Sequence, residues 1–480
     1  MSSRNGSAPG LLVVTLGLVA LTVAVLQTSV VPILGVMARQ LDVSTVDISW
    51  AVTANLLAAA ASTPLIGRLA DLHTKKNVLL IVLALVLAGS VLAATTSSLP
   101  LLIIARVMQG ASFSLYPIGV AILRRELAPD RMMGAMAVLS GVLGFGGGMG
   151  LVITGLLMRG DADYHRVFWF ATAFVVVVSV LAVLVVPLRP GTSAGKVDWA
   201  GAVGLAIGLS GVLLAITQGK TWGWASVPTA MSAVVGTVAL VVWWWWERRC
   251  EHPLVSIGML SRRPILLTNI ATVSVGMGLY FGFLGLTDIV QLPEESGYGF
   301  GATVLAASLT FLLPGAMAGF VTATISGRYI DRFGARPVLL TGAATGVAGF
   351  LLLAVAHSAT WHVIVSTVAI NAYISLAYGA LPALIIREVD AGETGVATSM
   401  NAIARTVGAS LAAALVAVLL NRHGNGGKYP PESSFTIIFV LGAVSALVAM
   451  VLIAASHPRL RRIDSIEELS DSRAMNHEWG

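Results

Sequence analysis

Long apolar runs repeat from one end of this chain to the other and constrain what it can fold into. Fourteen of them reach about 18 residues or more, the length at which an α-helix crosses the hydrocarbon core of a bilayer. Charged residues fill 11% of the 480 positions, against about 25% in a soluble domain, so the chain lacks the polar surface that a soluble core of this size needs. The sequence therefore predicts an all-α integral membrane protein that contacts the lipid bilayer. The runs lie at 11–37, 48–67, 77–95, 100–123, 133–157, 167–187, 200–217, 226–246, 264–290, 301–326, 337–356, 361–386, 396–420 and 433–455.

Lysine and arginine residues indicate how the runs cross the membrane. If both ends of the chain are cytoplasmic, the inner segments hold 21 of the 29 basic residues and the outer loops hold 6. The other two, Arg106 and Arg405, lie inside runs. Because basic residues are enriched in cytoplasmic loops, this split predicts a multi-pass protein of the cell membrane with cytoplasmic N and C termini. The net charge of +6 therefore reflects membrane topology and does not predict a nucleic-acid partner.

Two loops at matched places in this topology share one pattern, in which an aspartate follows a glycine by four residues and basic residues come next. The first copy consists of Gly67, Asp71, Lys75 and Lys76, and the second of Gly327, Asp331, Arg332, Gly334 and Arg336. Internal symmetry of this kind is typical of transporters. The two glycines are 260 residues apart, and this distance spans eight runs and not the six of a simple twofold repeat.

The repeat therefore predicts two six-helix bundles related by pseudo-twofold symmetry, with two further helices inserted between them. The predicted bounds are 1–190 for the N-terminal bundle, 191–260 for the inserted linker, 261–456 for the C-terminal bundle and 457–480 for a cytoplasmic tail.

The repeated loop resembles the signature G-x-L-A-D-R-x-G-R-K of the major facilitator superfamily. Residues 102–110 are similar to the second motif of that family, and residues 218–224, 246–254 and 395–408 are similar to its fourteen-helix drug:proton antiporter branch. The likeness covers nearly the whole chain. It departs from the branch at Val23, where members carry an aspartate, and in run 5, which has no proline near Gly150.

The resemblance implies a secondary active transporter that works by alternating access, and in this branch one that exports small hydrophobic molecules or drugs. It implies no cofactor, because a proton gradient would drive transport. The missing aspartate leaves open an uncoupled facilitator or an importer of a small metabolite. In this fold, runs 1, 4, 9 and 12 would line a central cavity. Nothing in the sequence identifies an oligomeric state.

Polar side chains within the runs are the candidates for a substrate and proton pathway. A guanidinium in hydrocarbon is costly unless it is paired or hydrated, so Arg106 either faces a cavity or binds carbonyl groups of a neighbouring helix. Asp288 is either a proton carrier, with Arg106 as its partner, or an interfacial carboxylate that faces water. Residues 371, 375 and 378 share one helical face, which lines the cavity or contacts another helix. The full set is Gln27, Arg106, Gln109, Asp288, Asn371, Ser375, Tyr378 and Arg405.

The two repeated loops are expected to act as gates and not as ligand sites. Asp71 and Asp331 can face the positive N-terminal ends of nearby helices. Contacts that form in one conformation and break in the other would bias alternating access. A role of the basic residues in topology alone is the alternative, and the two interpretations are compatible.

Other classes of function lack the residues that they need. An intramembrane enzyme requires paired carboxylates or histidines inside helices, and a sensor usually carries a soluble domain; the sequence predicts neither. The histidines and Cys250 show no metal-ligand spacing. Residues 219–221 end like a nucleotide-binding loop, but Leu214 stands where the first glycine of that motif is required.

Overall fold

The computed structural model describes residues 9–159, 162–189, 196–420 and 429–456, and these form helices and connecting turns with no strand among them. The tail predicted at 457–480 lies outside the described residues. The helices are α1 (Pro9–Thr28), α2 (Leu34–Gln40), α3 (Thr45–Leu72), α4 (Lys75–Thr95), α5 (Leu99–Gly110), α6 (Leu115–Glu126), α7 (Pro129–Leu157), α8 (His165–Val185), α9 (Trp199–Trp222), α10 (Val227–Glu247), α11 (Ile257–Leu260), α12 (Arg263–Gln291), α13 (Val304–Ala306), α14 (Leu313–Phe333), α15 (Ala335–Val355), α16 (Thr360–Ile386), α17 (Thr394–Leu420) and α18 (Glu432–Ala455).

Thirteen of the described helical segments are long and apolar enough to cross a membrane, and they coincide with thirteen of the predicted runs. Two of these segments are compound, since α1 continues into α2 and α5 continues into α6. The remaining predicted run, 133–157, falls on α7, within which only 134–143 stands as a shorter apolar stretch among the described residues. The all-α membrane fold is confirmed, and the count of fourteen spans stays a prediction.

Three stretches of the chain are named by their position: α1 to α8 are called the first half, α9 and α10 the inserted pair, and α11 to α18 the second half. Helix α7 packs against α14, and α3 packs against α17, so these pairs connect the two halves. The inserted pair, α9 and α10, packs tightly on itself and against α3 and α17. A Cβ on Gly211 would lie 2.7 Å from the Cα of Gly236, so the two inserted helices approach at backbone distance.

Three membrane-spanning helices are interrupted by short turns of other helix types. Pro32 falls in a short 3-10 turn, Val31–Ile33, and ends α1 because proline cannot donate the next helical hydrogen bond. A second 3-10 turn, Ala111–Ser114, separates α5 from α6, and a π-helical turn, Ala307–Leu312, precedes α14. Breaks of this kind free backbone carbonyls and redirect side chains.

Glycines of α7 set the distances at the centre of the molecule. A Cβ on Gly146 would lie 2.4 Å from a methyl carbon of Leu21 in α1, and one on Gly141 would lie 2.2 Å from the Cβ of Ala323 in α14. The glycine-rich run 5 therefore serves close helix packing, as small residues do in membrane proteins.

Candidate functional site

A cavity of about 140 Å³ lies between the two halves of the molecule. Most of its wall is apolar, and the described lining contains one charged side chain, Arg405. Helices α1, α7, α12, α14, α16 and α17 contribute to it. The lining residues are Val23, Ala24, Gln27, Thr28, Phe113, Leu143, Gly147, Leu279, Tyr280, Gly282, Phe283, Leu286, Leu312, Ala316, Ile370, Asn371, Ile374, Tyr378, Arg405, Thr406 and Ala409.

Four of the predicted pathway residues line this cavity: Gln27, Asn371, Tyr378 and Arg405. Gln27 Nε2 donates a hydrogen bond of 2.8 Å to the Tyr280 hydroxyl, which joins α1 of the first half to α12 of the second. Asn371 Nδ2 donates to the carbonyl of Thr367 one turn earlier, at 2.9 Å. These four residues lie on α1, α16 and α17.

Arg106 and Gln109 are not among the described lining residues, and they form a buried structural network instead. Arg106 donates from Nε to the Ala51 carbonyl at 2.9 Å, and from Nη1 to Gln109 Oε1 at 2.7 Å and the Leu26 carbonyl at 3.3 Å. Leu26 belongs to the last turn of α1, whose carbonyls lack intrahelical donors, so the cation stabilises that helix end. Of the two interpretations offered for Arg106, the structure favours the binding of neighbouring carbonyl groups.

Asp288 and Ser375 also lie outside the described lining. Asp288 is exposed, and the cation that interacts with it electrostatically is Lys220 of the inserted helix α9, so the expected pair with Arg106 is absent from the described contacts. Ser375 is buried against α14, where a Cβ on Gly319 would lie 2.8 Å from its hydroxyl oxygen. One residue of the predicted polar stripe therefore contacts a helix, while the other two line the cavity.

Arg405 is held against two tyrosine rings. Its guanidinium carbon lies 4.8 Å from the ring centre of Tyr378 and 5.7 Å from that of Tyr116. The Tyr116 hydroxyl is 3.1 Å from Ser140 Oγ, which donates to the Tyr378 carbonyl at 2.9 Å. These contacts join α6 and α7 of the first half to α16 of the second half. Both halves therefore contribute to the aromatic and hydroxyl groups next to the Arg405 guanidinium.

A second set of contacts joins the halves at the membrane face where α1 begins, which we call the basic face because its segments carry most of the basic residues. The carboxylate of Asp71, at the end of α3, is fully buried and accepts hydrogen bonds from the backbone N–H groups of Gly395 at 3.1 Å and Val396 at 3.0 Å. These groups belong to the first turn of α17, where donors lack helical partners and the helix dipole is positive. The predicted helix-end contact is thus present at Asp71.

Two glycines permit this approach. A Cβ on Gly67 would lie 2.3 Å from Ser399 Oγ and 2.9 Å from the Gly395 carbonyl, and a Cβ on Gly395 would lie 2.6 Å from Asp71 Oδ1. Any larger residue at either position would push α3 away from α17. The glycine and the aspartate of the first loop therefore act together, one through close approach and the other through hydrogen bonding.

Arg124 makes a further contact between the halves that sequence reasoning missed. At the end of α6 it donates to the carbonyls of Val389 at 3.0 Å and Asp390 at 3.4 Å and to the Thr394 hydroxyl, all in the second half. In the sequence it appeared only as one of the basic residues that set the topology. Arg124 lies in the last turn of α6. No sequence pattern identifies which loop carbonyl groups such a cation will contact.

The second loop differs from the first. Asp331 and Arg332 are exposed, and the Arg332 guanidinium lies 5.2 Å from the ring centre of Phe333. Arg336 donates to the carbonyls of Ile453, at 3.1 Å, and Ala454, which end α18 in its own half. Its counterpart in the first loop, Lys76, donates to the Val183 carbonyl at the end of α8, at 2.7 Å. The described contacts of Arg336 therefore lie within the second half and not across the interface.

Lys75, by contrast, is buried beside the contact at the basic face. Its ammonium group donates to the Ala70 carbonyl at 3.0 Å and interacts electrostatically with Asp71. It therefore helps to balance the buried carboxylate.

Helices of membrane-spanning length around a cavity are typical of membrane transporters. The sequence profile of the Major Facilitator Superfamily matches residues 16–413 and 290–477, and the chain belongs to that family. The family membership and the transporter relatives confirm the resemblance and indicate a transporter rather than an enzyme.

Individual relatives are distant. The chain is 28% identical over 335 residues to a uridine/deoxyuridine transporter of Lactococcus lactis, covering 67% of this chain and 68% of that one. It is 25% identical over 374 residues to multidrug resistance protein 3 of Bacillus subtilis, covering 76% and 70%. The crystal structure of the human organic anion transporter MFSD10 superposes with a TM-score of 0.65 at 15% identity, covering 93% of this chain and all of that one, which shows a shared fold.

Proposed function

We propose that this transporter exports a small, largely apolar molecule by alternating access, with the proton gradient as its driving force. The observation that carries the proposal is the arrangement of the cavity and the contact at the basic face. The cavity lies between the halves, and the halves are joined on one side by hydrogen bonds at helix ends. We infer that these hydrogen bonds close the route from the cavity to the basic face.

Opening that route requires few groups to change partners. Asp71 must leave the first turn of α17, and Arg124 must leave the loop that precedes it. All of these groups can bind water once they separate, so the closed and open states need differ by only a few kcal/mol. A transporter that visits both states must have such a small difference in free energy.

The direction of transport and the membrane follow from charge and from the relatives. We propose that the basic face is cytoplasmic and that the membrane is the cell membrane, because basic residues are retained on the cytoplasmic side. Export is favoured because a relative is named as a multidrug resistance protein, and an apolar cavity suits molecules that partition into lipid.

Asp288 is the residue that we propose for proton coupling. It lies near the end of α12 remote from the basic face, and it interacts electrostatically with Lys220. A change in the distance between these charges would change the proton affinity of the carboxylate, because an opposite charge nearby favours its ionised form. Movement of α12 relative to the inserted helix α9 would then couple protonation to conformation.

Transport by purified protein in proteoliposomes tests this function. With a panel that contains a cation, a neutral solute and an anion (ethidium, uridine and benzenesulfonate), an imposed pH gradient should drive accumulation of at least one solute by the wild type. Asp288→Asn should abolish that accumulation and spare downhill exchange. Glu294→Gln, which removes an exposed carboxylate six residues further along the chain, is the matched control and should behave as the wild type. Gradient-driven accumulation that survives in Asp288→Asn would remove Asp288 from the mechanism.

An uncoupled facilitator or an importer of a small metabolite is the second candidate. Val23 lines the cavity at the place where related antiporters carry an aspartate, and the described lining has no carboxylate. A relative named as a uridine/deoxyuridine transporter shows that the likeness is not confined to drug exporters. Exchange that runs at the same rate with and without the pH gradient would favour this candidate.

A further inference from the structure

Arg405 is a cation that has no anionic partner among the described residues. It lines the cavity, and no described residue forms an ion pair with it or accepts a hydrogen bond from its guanidinium. It follows Thr394, the first residue of α17, by eleven positions, which places it about 16 Å along the helix from the basic face. At that depth a charged side chain is costly unless it is paired or hydrated.

The two tyrosine rings offset only part of this cost. The attraction between a cation and an aromatic face is weaker than the cost of removing an ion from water. An arginine carries five N–H donors, and ring faces accept few of them. The site therefore holds a positive charge and several hydrogen-bond donors that the described residues do not satisfy.

The backbone around Arg405 is fixed by close packing. A Cβ on Gly276 of α12 would lie 2.3 Å from the Arg405 carbonyl, and a Cβ on Gly408 would lie 1.9 Å from the Val273 carbonyl. Helices α12 and α17 thus touch at backbone distance at Arg405 itself and three residues further along α17. The guanidinium is consequently presented to the cavity from a rigid helix, which is the arrangement expected of a group that orients a ligand.

The polar groups above Arg405 also present donors. The Tyr280 hydroxyl accepts from Gln27, so its own hydrogen remains available, and no described residue accepts it. The charge of Arg405 reaches the hydroxyls of Tyr280, Tyr116 and Tyr378 electrostatically. Around these groups the wall is aromatic and aliphatic, with Phe113 and Phe283 among its members.

From this geometry we propose that the cavity binds an organic monoanion, whose acidic group contacts Arg405 and whose apolar body packs against the surrounding wall. The volume of about 140 Å³ limits that body to roughly one aromatic ring, since a cavity of about 150 Å³ accommodates benzene. The inference rests on the proposed transport function, because it names the substrate class of the same cavity. A guanidinium is suited to this task through its planar pair of donors, which match a carboxylate or a sulfonate.

Titration of three probes that share one ring and differ in charge tests the inference. Benzenesulfonate, benzenesulfonamide and phenyltrimethylammonium keep their charge state at pH 7, and calorimetry of the purified protein in lipid nanodiscs measures their binding. A hydrogen bond to a charged group contributes about 1.5–3 kcal/mol, so the anion should bind about 10- to 100-fold more tightly than the neutral amide. The cation should bind most weakly.

Substitutions then assign the preference to one residue. Arg405→Gln should remove the advantage of the anion, and Arg405→Lys should retain part of it because the charge stays while the planar fork is lost. Arg263→Gln removes an exposed arginine at the start of α12 and should leave the three affinities unchanged. If Arg405→Gln does not fold, the affinities of the three probes are compared between the wild type and Arg405→Lys.

Three results would overturn the inference: the amide or the cation binds as tightly as the anion, none of the probes binds, or Arg405→Gln keeps the preference. The titration uses no gradient and no flux. If the protein shows no preference for the anion, the transport measurements still test the proposed function. If the protein shows no transport, the binding measurements still test the preference for the anion.

Discussion

The two copies of the repeated loop share a pattern but differ in what their aspartates do. Asp71 is fully buried at the first turn of α17 in the opposite half, whereas Asp331 is exposed. The turns differ as well. Gly334 adopts a φ of +85°, which favours glycine, while Thr74 at the equivalent position has a φ of −61°. The family signature has a glycine at this position, so Thr74 makes the first copy differ from the signature in sequence and from the second copy in backbone conformation.

What the copies have in common lies within each half. Lys76 binds a carbonyl at the end of α8, and Arg336 binds two at the end of α18. Cations at helix C termini are stabilising because the free carbonyls and the dipole are negative there. The pattern thus combines two roles. In both copies a basic residue caps the C-terminal end of a helix in the same half, and in the first copy alone the aspartate is buried against the other half.

Gly67→Ala should give the largest effect on the first loop. The added Cβ would lie 2.3 Å from Ser399 Oγ and 2.9 Å from the Gly395 carbonyl, so α3 and α17 could not reach their closed distance. We expect the basic face to stay open and transport to be abolished. The measurement is the rate at which an impermeant maleimide labels Ser399→Cys from the basic face, in a Cys250→Ser background. Overpacking of this kind costs about 1–3 kcal/mol, which corresponds to roughly 5- to 150-fold faster labelling.

Gly134→Ala provides the matched control for that change. Nothing lies within 4 Å of a Cβ on Gly134 in α7, so the substitution should leave labelling unchanged. Labelling of Gly67→Ala at the wild-type rate would show that the approach of α3 to α17 does not close the basic face.

Asp71→Asn and Asp331→Asn compare the two copies directly. An asparagine at 71 keeps the shape but loses the negative charge that faces the start of α17, and one carboxylate oxygen becomes an amide donor that cannot accept the second N–H. Hydrogen bonds to charged groups contribute about 1.5–3 kcal/mol, so the Ser399→Cys label should react about 10-fold faster or more. Asp331→Asn should change the rate by less, because its side chain is exposed. An equal or larger effect at Asp331 would place the gate in the second loop.

The sequence predicted the membrane fold more completely than it predicted the site. Helix positions depend on apolar length, a local property, and thirteen of them agree with the structure. Gln27, Asn371 and Tyr378 line the cavity on runs 1 and 12, which the resemblance names as lining helices, whereas Arg405 lines it from run 13, which the resemblance does not name.

Arg106 and Asp288 show why the remainder of the site could not be predicted. Whether a buried arginine binds a carbonyl group or faces a cavity depends on helix rotation and on where a neighbouring helix ends. Pro32 predicts that α1 ends nearby, but it does not predict that the Leu26 carbonyl accepts a hydrogen bond from Arg106. The interaction of Asp288 with Lys220 depends on where the inserted hairpin packs. No periodicity in the chain encodes the position of that hairpin.

Lys76→Gln and Arg336→Gln should give the smallest effects, and they test the part that the two loops share. Each removes a cation from the C-terminal turn of a helix in its own half, so each should lower the free energy of unfolding by about 0.3–1 kcal/mol. Arg336→Gln should be the more costly of the two, because Arg336 donates to two carbonyls and Lys76 to one. Thermal unfolding followed by tryptophan fluorescence measures the stability, with Arg328→Gln as the control at an exposed position of α14.

Labelling of Ser399→Cys should stay within about twofold of the parent, since neither cation binds across the interface in the described contacts. If Arg336→Gln accelerates labelling as strongly as Asp71→Asn, the second loop contributes to the gate, and the division between cap and gate is wrong.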